Sequence, residues 1–387
     1  MSNLKGNWVI PTSVKFGVGR IAELAKTCKQ GGMKAPLLVT DPGLANMPMV
    51  AKILEANGAE DLPTGLFHAI KANPTETNLM EGLAIYREDD HDGVIALGGG
   101  SAMDLGKAIA LMANTDASWR TLEDKQGGWR KLAASEIAPW IAVPTTAGTG
   151  SEASVGTVII DEESGEKKVL FHPALMATGV IADPELTVGL PASLTAYTGL
   201  DALTHCIEAL CSPLFHPMAD GIALEGMRLI AENLPKAYED GSNLEARSNM
   251  MAAATMGGTA FMKGLGLVHA LSHAAGGLLN SQHGLTNAIF LPYAMAYNQD
   301  VIEPKMARAA RALGLRDNSY YGMIDWVLDF RKQLGIPHTS ESLGVNEGNI
   351  EQLAQMAAAD SAMFTNPKKA EAADMATLYK KSLSGEL

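Results

Sequence analysis

The stretch GVIALGGGSAMD, Gly93 to Asp104, decides how this 387-residue chain folds. Residues 93–97 are an apolar run of strand length, three glycines follow, and 104–112 carry apolar residues at helical spacing. Strand, glycine turn and helix start therefore come in the order of a βα unit. Glycines let the backbone turn sharply and approach a ligand without interference from a Cβ, and free N–H groups at a helix start suit a pyrophosphate. The spacing predicts that Ser101 caps the helix, with Asp104 completing a capping-box-like pair. Met103 stands where a strict G-x-G-x-x-G pattern has its last glycine.

Outward from this turn the same alternation continues. Residues 35–40 (APLLVT) and 141–143 (IAV) read as further strands and 49–57 as a helix, while 156–160 and 167–171 read as a hairpin around the turn-rich 162–166. Strands alternating with helices predict a parallel sheet. From Pro191 the strand signal stops, and segments rich in Ala, Leu and Met predict helices at 193–210, 217–234, 244–263, 267–279, 303–313, 321–334 and 350–359. Two X-Pro steps, Asp183-Pro184 and Leu190-Pro191, place the boundary near residue 188. The expected organisation is an α/β domain over 1–188 and an α-helical domain over 189–387.

The charge balance narrows the function. With 30 Lys and Arg against 43 Asp and Glu the net charge is −13, so the surface repels nucleic-acid backbones and anionic headgroups. No apolar run approaches the roughly 20 residues of a spanning helix. The three cysteines, Cys28, Cys206 and Cys211, fit neither a disulfide framework nor a zinc finger, and read as buried, inert thiols of a cytoplasmic protein.

Two further polar constellations flank the strands. Pro144 to Glu152 (PTTAGTGSE) follows the strand 141–143, and its Thr145, Thr146 and Thr149 offer donors to the same phosphate cleft; the alternative is a plain hydrophilic connection. Asp41, at the end of the strand 35–40, can accept from an adenosine ribose hydroxyl or cap the Asp-Pro-Gly turn, and spacing leaves both open.

The strongest constellation lies in the helical half, where Asp201 and His205 stand at i and i+4, His269 and His273 repeat that spacing, and His283 follows. Such pairs share one helix face, so two facing helices can complete a four-ligand site. An oxygen and nitrogen set without thiolates suits Zn²⁺ or Fe²⁺. Any one of these histidines alone reads as an ordinary helix residue; together, beside the Gly-rich apolar run 264–268, they read as a metal site. Cys206 points roughly 100° away from His205 and is core. His68, His91, His172, His216 and His338 show no such spacing, and the 20 methionines read as core filler.

With these motifs in order, the sequence resembles the iron-containing (group III) alcohol dehydrogenase family from about Pro11 to Asn366-Pro367. Asp41-Pro42-Gly43, Asn73-Pro74-Thr75, the triple glycine with Ser101, the segment Pro144 to Glu152, Asp183-Pro184, Gly199 to His205, and His269, His273 and His283-Gly284 carry the resemblance. It implies a dinucleotide-binding α/β domain and an all-α metal-binding domain, the dehydroquinate-synthase-like architecture. It implies Asp201, His205, His269 and His283 as metal ligands, Fe²⁺ or another divalent ion such as Zn²⁺ as the metal, and NAD as cofactor. The NAD residues implied are Asp41, Asn73, Gly99, Gly100, Ser101, Thr145, Thr146, Thr149, Lys167 and Leu194, with Lys168 the alternative to Lys167. His273 is implied to lie by the nicotinamide and substrate and is expected to relay the proton. Some members carry Asn at the position of Gly156.

The activity expected is NAD-dependent hydride transfer between a small primary alcohol and its aldehyde, by a homodimer or larger homo-oligomer. Phe261 and Phe364 are candidate walls of the substrate pocket, core aromatics being the alternative. The rival readings are a zinc-dependent polyol dehydrogenase of the glycerol type, a dehydroquinate-synthase-like lyase, and a binding module without turnover. The lyase reading suffers because no Arg or Lys cluster near 269–283 awaits a phosphate and carboxylate.

Overall fold

The computed structural model describes residues 13–123 and 127–387, so the first twelve residues of the expected α/β domain lie outside the described part. By their contacts the described residues form two compact units, one of 13–146 and 151–187, the other of 147–150 and 188–387.

The first unit runs β1 (Val14–Phe16), α1 (Leu24–Gln30), β2 (Leu37–Val39), α2 (Pro42–Ala45), α3 (Pro48–Ala59), β3 (Gly65–Phe67), α4 (Glu76–Glu88), β4 (Val94–Gly98), α5 (Gly100–Met112), β5 (Trp140–Pro144), β6 (Gly156–Ile160), β7 (Lys167–Phe171) and β8 (Gly179–Ala182). Six strands make one parallel sheet in the order β1-β8-β5-β4-β2-β3, and β6 pairs antiparallel with β7 as the expected hairpin. Every residue of β2, β4, β5 and β8 is buried. A parallel sheet covered on both faces demands such unbroken apolar runs rather than alternation. Leu38, Ile95, Ile141 and Ile181 of these strands pack with Leu24 and Cys28 of α1 and Val50 and Ile53 of α3. Each large side chain so buried stabilises the unit by about 1.5–3 kcal/mol.

The strand order positions the ligand end. From β2 the chain steps outward to β3, then crosses back to β4, so the winding reverses between β2 and β4. Open α/β sheets leave a crevice beyond the carboxyl ends of their strands at such a reversal. Asp41 and the triple glycine follow β2 and β4 at that end.

The second unit is built from α6 (Ala192–Cys211), α7 (Pro217–Glu239), α8 (Leu244–Ala260), α9 (Leu267–Leu279), α10 (His283–Ala312), α11 (Tyr320–Gln333), α12 (Ile350–Ala358) and α13 (Ala372–Ser384). Helix α6 is its centre, buried from Thr198 to Cys211 and packed by α7, α8 and α10.

Two expectations are corrected. Helix α10 begins at His283, not at 303, and carries Pro292 and Pro304 inside it. Prolines read as breaks because each disfavours a helix interior by about 3 kcal/mol. Here Ile289, Phe290, Leu291 and Met295 are buried around the first of them, and packing outweighs that penalty. Nor does Ser101 cap α5: Gly99 holds the N-cap position, Ser101 lies inside the first turn with its hydroxyl donating to the carbonyl of Ala72, and Asp104 accepts from Ser151 at 3.1 Å. Backbone geometry overrode the side-chain signal, because the glycines let the helix start two residues sooner than a serine cap requires.

Candidate metal centre and dinucleotide site

At the carboxyl end of the sheet, Gly98 adopts φ +150°, and a Cβ there would stand 2.7 Å from that of Ala102. Glycine is therefore required for the chain to turn from β4 straight into α5. The first N–H groups of α5 have no carbonyl a turn earlier to bind. The Thr145 N–H donates to Gly98 O at 2.9 Å, and Thr146 packs 3.2 Å from where a Gly99 Cβ would lie. Asp41 uses one carboxylate oxygen to cap α2 through the Leu44 N–H at 3.0 Å, while the other faces Gly98. The two readings of Asp41 are thus compatible, since one oxygen caps and one remains toward the turn.

These contacts bring Asp41, Gly99, Gly100, Thr145 and Thr146 to one place, and the Ser101 hydroxyl reaches Ala72, next to Asn73. Lys167 and Lys168 alternate on β7. Lys168 pairs with Glu166 at 2.6 Å and stands 3.9 Å from Glu123, whereas the charge of Lys167 acts on Asp104 of α5. Thr149 and Leu194 belong to the helical unit. There Gly150, at φ +58°, passes so close to α8 that a Cβ would lie 2.5 Å from Gly258 Cα.

Lys107 of α5 is fully buried and donates to Ser154 Oγ at 2.9 Å and to Gly156 O at 2.7 Å, tying the helix to the start of β6. Burial pulls its ammonium down to about 8, against the opposing pull of Asp104 and Glu152.

In the helical unit, α6 supplies Asp201 and His205 from adjacent turns, α9 supplies His269 from its first turn, and α10 opens on His283. Three helices, not two, furnish the cluster. One ligand atom from each of these four residues lies within 4.8 Å of the others. His205 Nε2 and His283 Nε2 stand 3.8 and 3.6 Å from Asp201 Oδ1, and the His205 and His269 rings stack at 4.9 Å. Asp201, His205 and His269 are buried, and His283 is half-buried.

Burial pushes His205 down to about 4, with Asp201 offsetting only part of the effect, so its imidazole is neutral at pH 7. For His269 burial acts in the same direction, but Glu208, then Asp201 and Asp360, outweigh it and raise the imidazole above its ordinary value. Three imidazoles and one carboxylate, gathered without a thiolate, are the donor set of a borderline divalent ion. The residues present therefore fit Fe²⁺ or Zn²⁺.

Around the cluster stand residues that the spacing argument did not single out. Asn287, one turn after His283, donates to Asp201 Oδ1 at 2.7 Å. Glu208 accepts from His269 Nδ1 at 2.5 Å and from the Val268 N–H at 2.7 Å. Asp360 accepts from His273 Nδ1 at 3.0 Å. Burial alone would raise Asp360, yet the His273 imidazole and the Ala362 N–H hold it below the usual carboxylate range. The signal for Glu208 and Asn287 was present, at i+3 from His205 and i+4 from His283; Asp360 lies 87 residues from its partner and only the fold joins them.

The His273 ring lies 5.6 Å from both His269 and His283. Phe261 tilts against His205 at 5.0 Å, and Phe364 is 81% exposed, which no core aromatic is. All three cysteines are buried, and burial pushes each thiol up to about 12.

Comparisons with known proteins add to this geometry. Residues 11–184 match the family model described as iron-containing alcohol dehydrogenase, and 195–383 match the C-terminal model of the same family. The chain is 38% identical to a 4-hydroxybutyrate dehydrogenase of Cupriavidus necator, over 96% of this chain and 98% of the relative. It is 35% identical to an NAD-dependent methanol dehydrogenase of Bacillus methanolicus, over 97% and 100%. The crystal structure of a 1,3-propanediol oxidoreductase superposes with a TM-score of 0.92 at 34% identity, covering 98% of this chain and 100% of that one.

Proposed function

The chain belongs to the iron-containing alcohol dehydrogenase family, whose members use NAD and a divalent metal, and from that premise we propose that it moves hydride between NAD and a small primary alcohol or its aldehyde. The observation that carries the reading is the convergence of Asp201, His205, His269 and His283 within 4.8 Å of one another. We assign these four as ligands of one divalent ion, Fe²⁺ before Zn²⁺. A bound ion supplies Lewis-acid polarisation of the alcohol oxygen, and NAD supplies the hydride acceptor at nicotinamide C4.

The chain's own residues do the rest. Asp201 brings the one anionic donor, and Asn287 holds its carboxylate in place. His273 gives its Nδ1 proton to the hydrogen bond with Asp360, which leaves Nε2 to take the hydroxyl proton. For the dinucleotide, the turn at Gly99 and Gly100 and the first N–H groups of α5 receive the pyrophosphate, with Ser101, Asn73, Thr145 and Thr146 around it; Thr149 is assigned to the cofactor on the family resemblance alone. Asp41 accepts from the adenosine ribose, and Lys167 and Leu194 complete the set. The dinucleotide domain is the α/β part and the metal domain the helical part.

The substrate class rests on the relatives: 4-hydroxybutyrate, methanol and 1,3-propanediol all carry a primary hydroxyl. The glycerol-type zinc enzyme and the lyase are not favoured. No helix among the described residues is long and apolar enough to cross a membrane. Three buried free thiols support a cytoplasmic setting, and β1, at the end of the sheet among the described residues, with Phe16 44% exposed and Val18 just beyond it 50% exposed, supports a homodimer.

The test is NADH formation by the Fe²⁺-loaded protein and its His273→Ala variant on primary and secondary alcohols. We expect turnover on primary alcohols, and a large loss in His273→Ala with the metal retained. Turnover confined to secondary alcohols would overturn the substrate class, and full activity of the variant would remove His273 from the proton path.

A further inference from the structure

Glu208 lies three residues beyond His205 and seven beyond Asp201, on the same face of α6. It is 7% exposed and borders a small cavity lined by Ile207, Val268, Leu291 and Met295. It forms no ion pair with Lys or Arg among the described residues; its partner is His269, with Oε2 at 2.5 Å from Nδ1. Its other oxygen accepts from the Val268 N–H at 2.7 Å, in the first turn of α9, where the N-cap residue Gly266 offers no side chain.

A carboxylate only accepts hydrogen bonds, so Nδ1 of His269 must carry the ring proton. The lone pair is then left on Nε2, which faces the Asn287 amide at 3.2 Å, beside Asp201. Helix and carboxylate reinforce one another, because the positive end of α9 favours the charge on Glu208. His283 Nδ1 meets a hydroxyl, Ser272 Oγ, at 3.2 Å, and His205 is not held by a carboxylate at Nδ1.

We infer that Glu208 is a positioning residue for the cation site, holding His269 as the Nδ1–H tautomer so that the Nε2 lone pair is aimed at the ion. The inference rests on the four-residue ligand set. A role confined to capping α9 is the competing explanation, and the Glu208→Gln substitution separates the two. The amide it introduces can offer its carbonyl to the Val268 N–H or to His269, but not to both. With the carbonyl on Val268, the amide NH₂ group faces Nδ1 and selects the Nε2–H tautomer, which presents a proton to the ion instead of a lone pair.

The experiment is calorimetric titration of Zn²⁺ into the metal-stripped full chain, its Glu208→Gln variant and an Asn366→Ala control. Asn366 caps the same helix through the Leu267 N–H at 3.1 Å without being a partner of His269. Outer hydrogen-bond partners of metal-bound histidines commonly set about 10- to 100-fold in affinity. We expect a loss in that range for Glu208→Gln, with the affinity of Asn366→Ala matching the parent even if its melting temperature falls. Nitrogen-15 spectra of the stripped parent at alkaline pH should show His269 as the Nδ1–H tautomer, and this measurement needs no variant to fold. Parent-like affinity in Glu208→Gln, equal losses in both variants, or an Nε2–H tautomer in the parent overturns the inference. Failure of the parent to bind Zn²⁺ would instead overturn the ligand set itself.

Discussion

At the scale of single residues, the cluster of the helical unit starts from side chains that their own helices align. Asp201 with His205 and His269 with His273 are one turn apart, so the sequence already placed each pair on a shared face. What spacing leaves open is which histidine lies outside the cluster of four; in the fold His273 Nδ1 meets Asp360, on a segment far along the chain. Asp41 was ambiguous for a different reason, since cap and ribose acceptor ask for the same residue at the same strand end. With one oxygen committed to Leu44 and the other facing Gly98, Asp41→Gly should leave the fold in place and weaken discrimination against the 2′-phosphate of NADP. The ratio of kcat/KM for NAD over NADP measures this, with a fall expected and an unchanged ratio counting against the ribose role.

At the scale of elements, legibility followed length and burial. The hairpin β6–β7 and helix α9 appear with the bounds their patterns predict. Strands β1 and β3 have three residues each and no period to read, and α4 is too polar to announce itself beside its capping Thr75. Helix α10 hid behind its prolines because tertiary packing, which no local window contains, holds it together. Helix α5 carries a cost that only the structure reveals, the buried ammonium of Lys107. Burial lowers this group from 10.5 to about 8 in the folded protein, while the unfolded chain keeps its proton until about 10.5. Between those values the unfolded state binds more protons, so the share of stability due to Lys107 rises with pH across this window. Denaturation midpoints of the protein and of Lys107→Met should therefore move relative to each other, in favour of the parent, as the pH rises from about 8 toward about 10. A difference that does not change with pH would contradict the depressed ammonium.

At the scale of the whole molecule, each unit is organised around one feature that we assign to ligand binding. The parallel sheet of the first reverses its winding where the glycine turn stands, and the helices of the second converge on four donors. Composition and alternation foretold the α/β and helical characters; they could not foretell that residues 147–150 pack with the helices. An ion held only by the folded protein must also stabilise it, by about 2.7 kcal/mol at a free concentration 100 times its Kd. The central claim is that this ion is needed for hydride transfer, and one measurement tests it most directly: NADH formation from a small primary alcohol by the anaerobically metal-stripped protein, before and after Fe²⁺ is returned. The account predicts no turnover in the stripped protein, recovery on addition of Fe²⁺, and no recovery in Asp201→Ala. Full turnover by the stripped protein, or by Asp201→Ala, would contradict it.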